Sequence, residues 1–157
     1  MAIPCPAPMR LPDFAVPLDV KNIGVISRRD IRARPVFIYF YSGETPASVA
    51  MLSAVQQVYA KYHSMGLAVV AMQQSEAASL ARPKQNDPNL VRKRFHLDFP
   101  IGRDGVGAER IFCVSELPTS LFYDRQGLLK QHETRILSFV ELDRIVRSLL
   151  KGARSRR

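Results

Sequence analysis

The chain has 157 residues and carries 23 Lys and Arg against 14 Asp and Glu, a formal net charge of +9. Hydrophobic residues make up 46% and charged residues 24%, which is typical of one globular domain and not of a disordered or fibrous chain. The only two cysteines are Cys5 and Cys113, which excludes a disulfide-dense secreted scaffold and a cysteine-rich zinc module. No apolar run approaches the roughly 20 residues that a membrane-spanning helix needs.

The first half of the chain predicts strands around one long helix. Residues 1–10 are rich in proline and predict an extended N-terminal segment. Residues 35–41 form a continuous β-branched and aromatic run, typical of a strand buried on both faces of a sheet. The predicted elements of this half are strands over 13–16 and 23–26 around a turn at 19–22, a strand over 35–41, a helix over 46–64 that Gly66 ends, and a strand over 67–72.

The second half predicts shorter elements and a closing helix. Leu142, Ile145, Val146 and Leu149 recur at helical spacing, which predicts an amphipathic helix over 139–150. The other predictions are a helix or loop over 73–81, a loop over 82–88, a basic helix over 89–96, a small strand over 99–101, a helix over 107–114, a strand over 118–123, a turn over 124–127, a partner strand over 128–134, and a basic tail over 151–157.

The order of these elements predicts an α/β domain over residues 11–150. A strand, a helix and a second strand, followed by an antiparallel hairpin and a closing helix, give a central mixed β-sheet with helices on both faces. The two early strands add an N-terminal β-hairpin extension. This is the layout of the thioredoxin fold.

Three segments carry a resemblance to known proteins. Residues 11–14 read LPDF, residues 25–31 read VISRRDI before the first core strand, and residues 117–127 read LPTSLFYDRQG. The ordered set resembles the thioredoxin-like superfamily, closest to the redoxin or TlpA-type disulfide reductases and the related AhpC/TSA peroxiredoxins. The resemblance implies a cis Leu117–Pro118 peptide bond and a peptide-binding edge lined by Leu117, Pro118 and Tyr41.

The residues that carry the family's chemistry are replaced in this chain. Where the resemblance calls for a Cys-x-x-Cys motif at the start of the first long helix, the sequence has Thr45, Pro46, Ala47 and Ser48. Disulfide exchange needs a thiolate, whose pKa a helix N-terminus lowers, and a hydroxyl cannot form the mixed disulfide. The sequence therefore excludes thioredoxin-type exchange at this position. Thr45 followed by Pro46 predicts a helix N-cap, with Ser48 bonded in the first turn.

Peroxiredoxins offer a second comparison, with a Thr-x-x-Cys motif in which Ser48 would replace the peroxide-reactive cysteine. The proline that precedes this motif in that family is Tyr41 here, and Pro118 also departs from the family pattern. Ser48 is either native or an engineered replacement, and the sequence leaves both open.

The two cysteines lie away from this site. Cys113, near the end of a predicted helix, is interpreted as a small buried hydrophobic residue, and Cys5 lies in the Pro-rich segment. A disulfide between them stays open. The leading hypothesis is a redox-inactive thioredoxin-like module for binding or structure. The alternative is a thiol-disulfide oxidoreductase or thiol peroxidase, seen as a cysteine variant or using Cys113, so enzymatic activity stays open.

The positive charge is the remaining indication of a partner. Residues 79–157 hold sixteen of the 23 basic residues, and clusters lie at 28–34, 92–94 and the C-terminus. Such a surface favours an anionic partner: a protein or peptide with an acidic face, a larger assembly, or lipid headgroups. A nucleic acid is possible but has no supporting motif. We expect no metal site and no cofactor. No signal peptide is visible, and the sequence leaves the compartment unknown: periplasmic if the chain is a processed fragment, otherwise cytoplasmic.

Overall fold

Two strands near the N-terminus form a small antiparallel sheet. The computed structural model describes residues 5–18, 25–74, 88–102 and 105–154. Strand β1 (Ala15–Pro17) pairs with β2 (Val25–Ser27), and the buried side chains of Val16 and Ile26 lie opposite each other. The predicted N-terminal hairpin is confirmed, while its predicted turn at 19–22 lies outside the described residues.

A five-stranded mixed sheet forms the centre of the molecule, with the strand order β5-β4-β3-β6-β7. Strand β3 runs parallel to β4, to which a helix connects it, and antiparallel to β6. A short turn joins β6 to β7, so these two strands are antiparallel. The strands are β3 (Val36–Ser42), β4 (Ala68–Gln74), β5 (Ile101–Gly102), β6 (Thr119–Tyr123) and β7 (Leu129–Glu133).

In the residues that the structure describes, five helices accompany the strands. Helix α2 continues into a short 3-10 turn (His63–Met65), which ends at Gly66 with a φ of 104°. That left-handed conformation is open to glycine without a steric cost, so the predicted helix stop at Gly66 is confirmed. The helices are α1 (Arg28–Ile31), α2 (Pro46–Tyr62), α3 (Pro88–Phe95), α4 (Gly105–Phe112) and α5 (Phe139–Arg154).

The core lies on both faces of the central sheet. Along β3, Phe37, Tyr39 and Tyr41 pack in a cluster with α2 and α5, while the alternate side chains of this strand pack with β1, β2 and α4. Alternate residues of a strand point to opposite faces, so a fully buried β3 requires a cover on each side. The predicted mixed sheet with helices on both faces is confirmed.

Some boundaries differ from the prediction. Helix α1 has only four residues, too few for a periodic pattern, and a Ser27–Asp30 capping box marks its start. Helix α5 extends to Arg154, so part of the expected basic tail is helical. Gln73 and Gln74 belong to β4, and the predictions for residues 75–87 and 155–157 lie outside the described residues. Within the described part of the chain, no helix has the length and apolarity that crossing a membrane requires.

Candidate functional site

The candidate site begins where β3 passes into α2. After Ser42 the chain turns, and Thr45 occupies the N-cap of α2 with Pro46 at the first helical position. The Thr45 carbonyl accepts the first helical bond from the Val49 amide at 3.1 Å. Pro46 has no amide hydrogen to leave unbonded and its fixed φ suits the first turn, which explains why the helix begins here.

Ser48 is fully buried at the start of this helix. Its hydroxyl oxygen lies 2.9 Å from the carbonyl oxygens of both Ser42 and Thr45, so its single proton is donated between two main-chain acceptors. The predicted first-turn bond of Ser48 is thereby confirmed. The hydroxyl closes the turn between β3 and α2 and makes no bond to a base.

Thr45 differs from the prediction in one respect. It stands at the N-cap as expected, but its side chain makes no capping hydrogen bond. Hydroxyls of two neighbouring serines hold the turn instead: Ser42 accepts from the Glu44 amide at 3.1 Å, and Ser48 donates as described above. The Thr45 side chain is left exposed, together with those of Pro46 and Ala47.

Two stacked tyrosines support the turn from inside the core. The rings of Tyr39 and Tyr41 lie 5.6 Å apart, and the Tyr39 hydroxyl donates to the Ser48 carbonyl at 2.6 Å. Burial raises the pKa of Tyr39 well above its usual range, with a smaller contribution from Tyr41, so this hydroxyl keeps its proton. Tyr41 is fully buried and donates to Gln73 at 2.7 Å. The prediction that Tyr41 lines a partner surface is therefore wrong, because its ring fills the core.

The Leu117–Pro118 peptide bond is cis, as the resemblance implies. It directly precedes β6, whose Thr119 pairs with Phe40 of β3. Tyr41 follows Phe40 and Pro118 precedes Thr119, so these two residues lie at the same end of the antiparallel strands. Leu117 is half-buried and Pro118 is buried. The structure thus brings the cis-proline loop and the α2 N-terminus to one end of the sheet.

The two cysteines are bonded to each other. Cys5 and Cys113 form a disulfide with a Cα–Cα distance of 5.3 Å, and the chain has no free cysteine. The interpretation of Cys113 as a buried hydrophobic residue is therefore wrong, because its sulfur is bonded to an exposed residue and its own side chain is only half-buried. The sequence leaves this pairing open, because the two residues are 108 positions apart and no local pattern brings them together.

Two further features concern metal-binding groups and the basic cluster at 92–94. Among the residues described, no group of three or more His, Cys, Asp or Glu side chains could hold a metal ion. In the basic cluster at 92–94, Arg92 is buried and donates to the Leu97 carbonyl at 2.8 Å, which makes it part of the α3 packing. This cluster therefore offers fewer exposed charges than the sequence indicates.

The comparisons with known proteins agree with this geometry. A family model described as the AhpC/TSA family matches residues 9–132. The chain belongs to the AhpC/TSA family. That match includes the segments that carry the sequence resemblance as well as the Thr45–Ser48 turn. No curated protein is significantly similar to the chain.

Solved structures share the fold of this AhpC/TSA protein. A thiol:disulfide interchange protein of the thioredoxin family from Chlorobium tepidum TLS has a TM-score of 0.75 at 19% identity, covering 96% of this chain and 99% of that chain. A Sinorhizobium meliloti 1021 protein has a TM-score of 0.78 at 21% identity, covering 97% and 87%. A secreted Mycobacterium tuberculosis disulfide oxidoreductase has a TM-score of 0.70 at 16% identity, covering 87% and 96%. The chain is thus a redoxin domain with the fold of disulfide oxidoreductases.

Proposed function

We propose that this AhpC/TSA protein is a redox-inactive redoxin domain that serves as a binding or structural module. One observation carries the proposal: a buried Ser48, committed to main-chain hydrogen bonds, and an exposed Thr45 stand where the resemblance requires two cysteines. Thiolate attack on a disulfide has no nucleophile at this position.

The proposed partner surface consists of the exposed side chains of Thr45, Pro46 and Ala47 and the neighbouring half-buried Leu117. These residues converge because the last β3–β6 pair, Phe40 with Thr119, brings the two loops to the same end of the sheet. We infer that this partner-facing edge takes a protein or peptide, since its small and apolar side chains offer contact area without a charge requirement.

The activity part of the proposal is tested by a thiol-disulfide turnover assay with a dithiol reductant and a disulfide-bonded peptide. We expect turnover at the background rate, while an active thioredoxin-fold disulfide reductase in the same assay serves as the positive control. Turnover well above background that survives replacement of both Cys5 and Cys113 by serine would overturn the proposal.

The binding part needs a variant that changes the surface without disturbing the core. Ala47→Arg places a large charged side chain on the partner-facing edge, and Ala60→Arg makes the same change on an exposed position near the other end of α2. A partner that co-purifies with the native protein should bind the Ala47→Arg variant at least about tenfold more weakly and the Ala60→Arg variant unchanged. Equal affinities for both variants would remove this edge from the proposal.

A second candidate function is thiol-disulfide exchange through the cystine itself. It is favoured by the exposure of Cys5 and the partial exposure of Cys113, which leave the disulfide within reach of a thiolate. In this exchange a dithiol substrate is oxidised to a disulfide while Cys5 and Cys113 become thiols. Turnover that disappears in the Cys5→Ser variant would favour this candidate over a redox-inactive module.

A further inference from the structure

Five arginines from three distant segments of the chain line one groove. Arg10 comes from the N-terminal segment, Arg28, Arg32 and Arg34 from helix α1 and the loop that follows it, and Arg125 from the turn between β6 and β7. The groove has a volume of about 360 Å³, which is within the size range of small-ligand sites. The sequence pattern shows the cluster at 28–34 but not that Arg10 and Arg125 join it.

The walls of this arginine groove are fixed to one another by main-chain hydrogen bonds. The Leu11 amide donates to the Gly127 carbonyl at 2.7 Å, and the Leu129 amide donates to the Met9 carbonyl at 2.8 Å. Arg10 also forms an isolated β-bridge with Leu128. These bonds hold the N-terminal segment against the β6–β7 turn, so the groove is formed before any ligand arrives.

The acidic residues beside the groove leave most of its charge available. Asp13 pairs with Arg28 at 2.9 Å. Asp124 is buried, and its carboxylate accepts the Gln126 and Leu128 amides at 2.9 Å and lies 3.6 Å from Lys130. Within the described part of the chain, the other four arginines have no carboxylate at ion-pair distance; these are Arg10, Arg32, Arg34 and Arg125.

We propose that the arginine groove binds a compact anion with two or more phosphate groups. Guanidinium groups fit phosphate oxygens through paired hydrogen bonds and stay charged at every physiological pH. Each phosphate carries about −1.5 to −2 charges near neutral pH, so a diphosphate neutralises several arginines within a small volume. An extended nucleic acid fits less well, because the charges are gathered in a concave space and not along a surface track.

The arginine groove is independent of the partner-facing edge. Val36 of β3 pairs with Tyr123 at the end of the sheet where residues 32–34 and 124–127 lie, whereas Phe40 pairs with Thr119 at the other end. The seven residues of β3 separate the two regions by about 20 Å at the rise per residue of a strand. This inference therefore does not rest on the proposed function.

Isothermal titration calorimetry with sodium pyrophosphate tests the proposal on the full chain. We expect one site per chain and an affinity that falls steeply between about 50 and 200 mM salt. The Arg32→Gln/Arg125→Gln variant should bind at least about tenfold more weakly, since each substitution removes a charge-assisted contact. The Arg94→Gln/Arg144→Gln variant has the same loss of charge on exposed residues outside the groove and should stay within about twofold of the wild type.

Three results would overturn the proposal: no binding of pyrophosphate at low salt, equal weakening by both double variants, or weakening by neither. A single-stranded oligonucleotide is titrated in parallel. If it binds while pyrophosphate does not, the positive charge acts as a diffuse nucleic-acid surface and the groove is not a phosphate site. All four substituted side chains are exposed, and equal melting temperatures of the variants confirm that they fold.

Discussion

At the scale of single residues, Ser48 is a structural part of the turn between β3 and α2. Its hydroxyl lies inside the core, within 2.9 Å of the Ser42 and Thr45 carbonyl oxygens, and its own carbonyl accepts from Tyr39. A thiol at this position would be a weaker donor to the same carbonyls. The turn between β3 and α2 is therefore adapted to serine.

The first prediction concerns this hydroxyl. Ser48→Ala should lower the free energy of unfolding by about 1–2 kcal/mol, because it removes a buried donor from two carbonyls. Urea unfolding followed by circular dichroism measures the change. Ser53→Ala, an exposed position on the same helix, is the matched control and should stay within about 0.5 kcal/mol of the wild type. Equal effects of the two substitutions would show that the Ser48 hydroxyl contributes nothing of its own.

The residues of this site differ in how far the sequence could predict them. The positions of Thr45 and Ser48 at the start of α2 can be predicted from the neighbouring sequence. An aromatic strand, a turn and a Thr-Pro pair together mark the start of a helix. The resemblance places Tyr41 on a partner surface, but its position beside the motif does not determine whether its side chain is buried. Its burial is decided by α2 and α5, which cover that face of the sheet. The Thr45 side chain makes no capping hydrogen bond, and the sequence does not predict this either. It depends on the hydrogen bonds that the Ser42 and Ser48 hydroxyls make within the turn.

At the scale of elements, a small polar cluster joins α2 to α5. Asp143 on α5 accepts from Lys61 at 2.8 Å and from the Tyr62 hydroxyl at 2.5 Å, and it pairs with Arg147 at 2.6 Å. The hydrogen bond from Lys61, followed by that from Tyr62, lowers the pKa of the Asp143 carboxyl. The folded protein therefore binds this proton less readily than the unfolded chain does.

The second prediction follows from the sign of this shift. The contribution of Asp143 to the free energy of unfolding is complete above the ordinary aspartate pKa of about 3.9, and it is lost as the pH falls through the lower pKa of the folded state. The Asp143→Asn variant should therefore have a lower free energy of unfolding than the wild type near neutral pH. This difference should shrink below about pH 4. Urea unfolding at several pH values measures it.

Glu44→Gln is the control for that experiment, because Glu44 is exposed and its side chain makes no ion pair within the described residues. Its difference from the wild type should stay small over the same range. A difference for Asp143→Asn that does not change with pH would contradict the prediction.

Elements with a repeated pattern give clear signals in the sequence, whereas the four-residue helix α1 gives none. The buried runs of β3 and β4 and the apolar stripe of α5 give clear strand and helix signals, and the structure has all three. Helix α1 is a single turn that begins at the Ser27–Asp30 capping box, and its only buried residue is Ile31. A single buried residue gives no periodic pattern from which this helix could be predicted.

At the scale of the whole molecule, the disulfide closes a loop over most of the chain. Cys5 and Cys113 are 108 positions apart, so the bond restricts the unfolded chain more than a short loop would. Cys113 follows α4 in a left-handed conformation with a φ of 56°. The amides of Cys113 and Val114 donate to the Arg110 and Glu109 carbonyls, the bond pattern of a Schellman helix end, where glycine is the usual residue.

The third prediction uses this double role of Cys113. Cys5→Ser/Cys113→Ser should lower the free energy of unfolding by about 4–5 kcal/mol, according to the chain-entropy model for a loop of this length. Cys5→Ser/Cys113→Gly removes the same bond but should regain about 1 kcal/mol, because glycine adopts the left-handed conformation without a steric cost. Guanidinium unfolding of the three proteins measures both steps. If the glycine variant were less stable than the serine variant, the helix end would need a side chain at position 113.

Long-range pairing is the part of the whole molecule that the sequence could not predict. The thioredoxin layout follows from element order, because each connection between successive strands has few alternatives. The disulfide and the arginine groove join residues that are more than 90 positions apart, and no local pattern marks such contacts. Both depend on where the N-terminal segment lies against the rest of the chain.

The strand order has a consequence for how the protein behaves in a crowded solution. At one side of the central sheet, Leu18 bridges Gly102 and partly covers the short β5. At the other side, the N-terminal segment is bonded to the start of β7 through the Leu129 amide and the Met9 carbonyl. Further along this edge strand, Lys130 and His132 are exposed. An open strand edge is a template for aggregation, and outward charged side chains on a short strand oppose the approach of another chain. The irregular register between β6 and β7 bends this edge further from the flat form that stacks into fibrils.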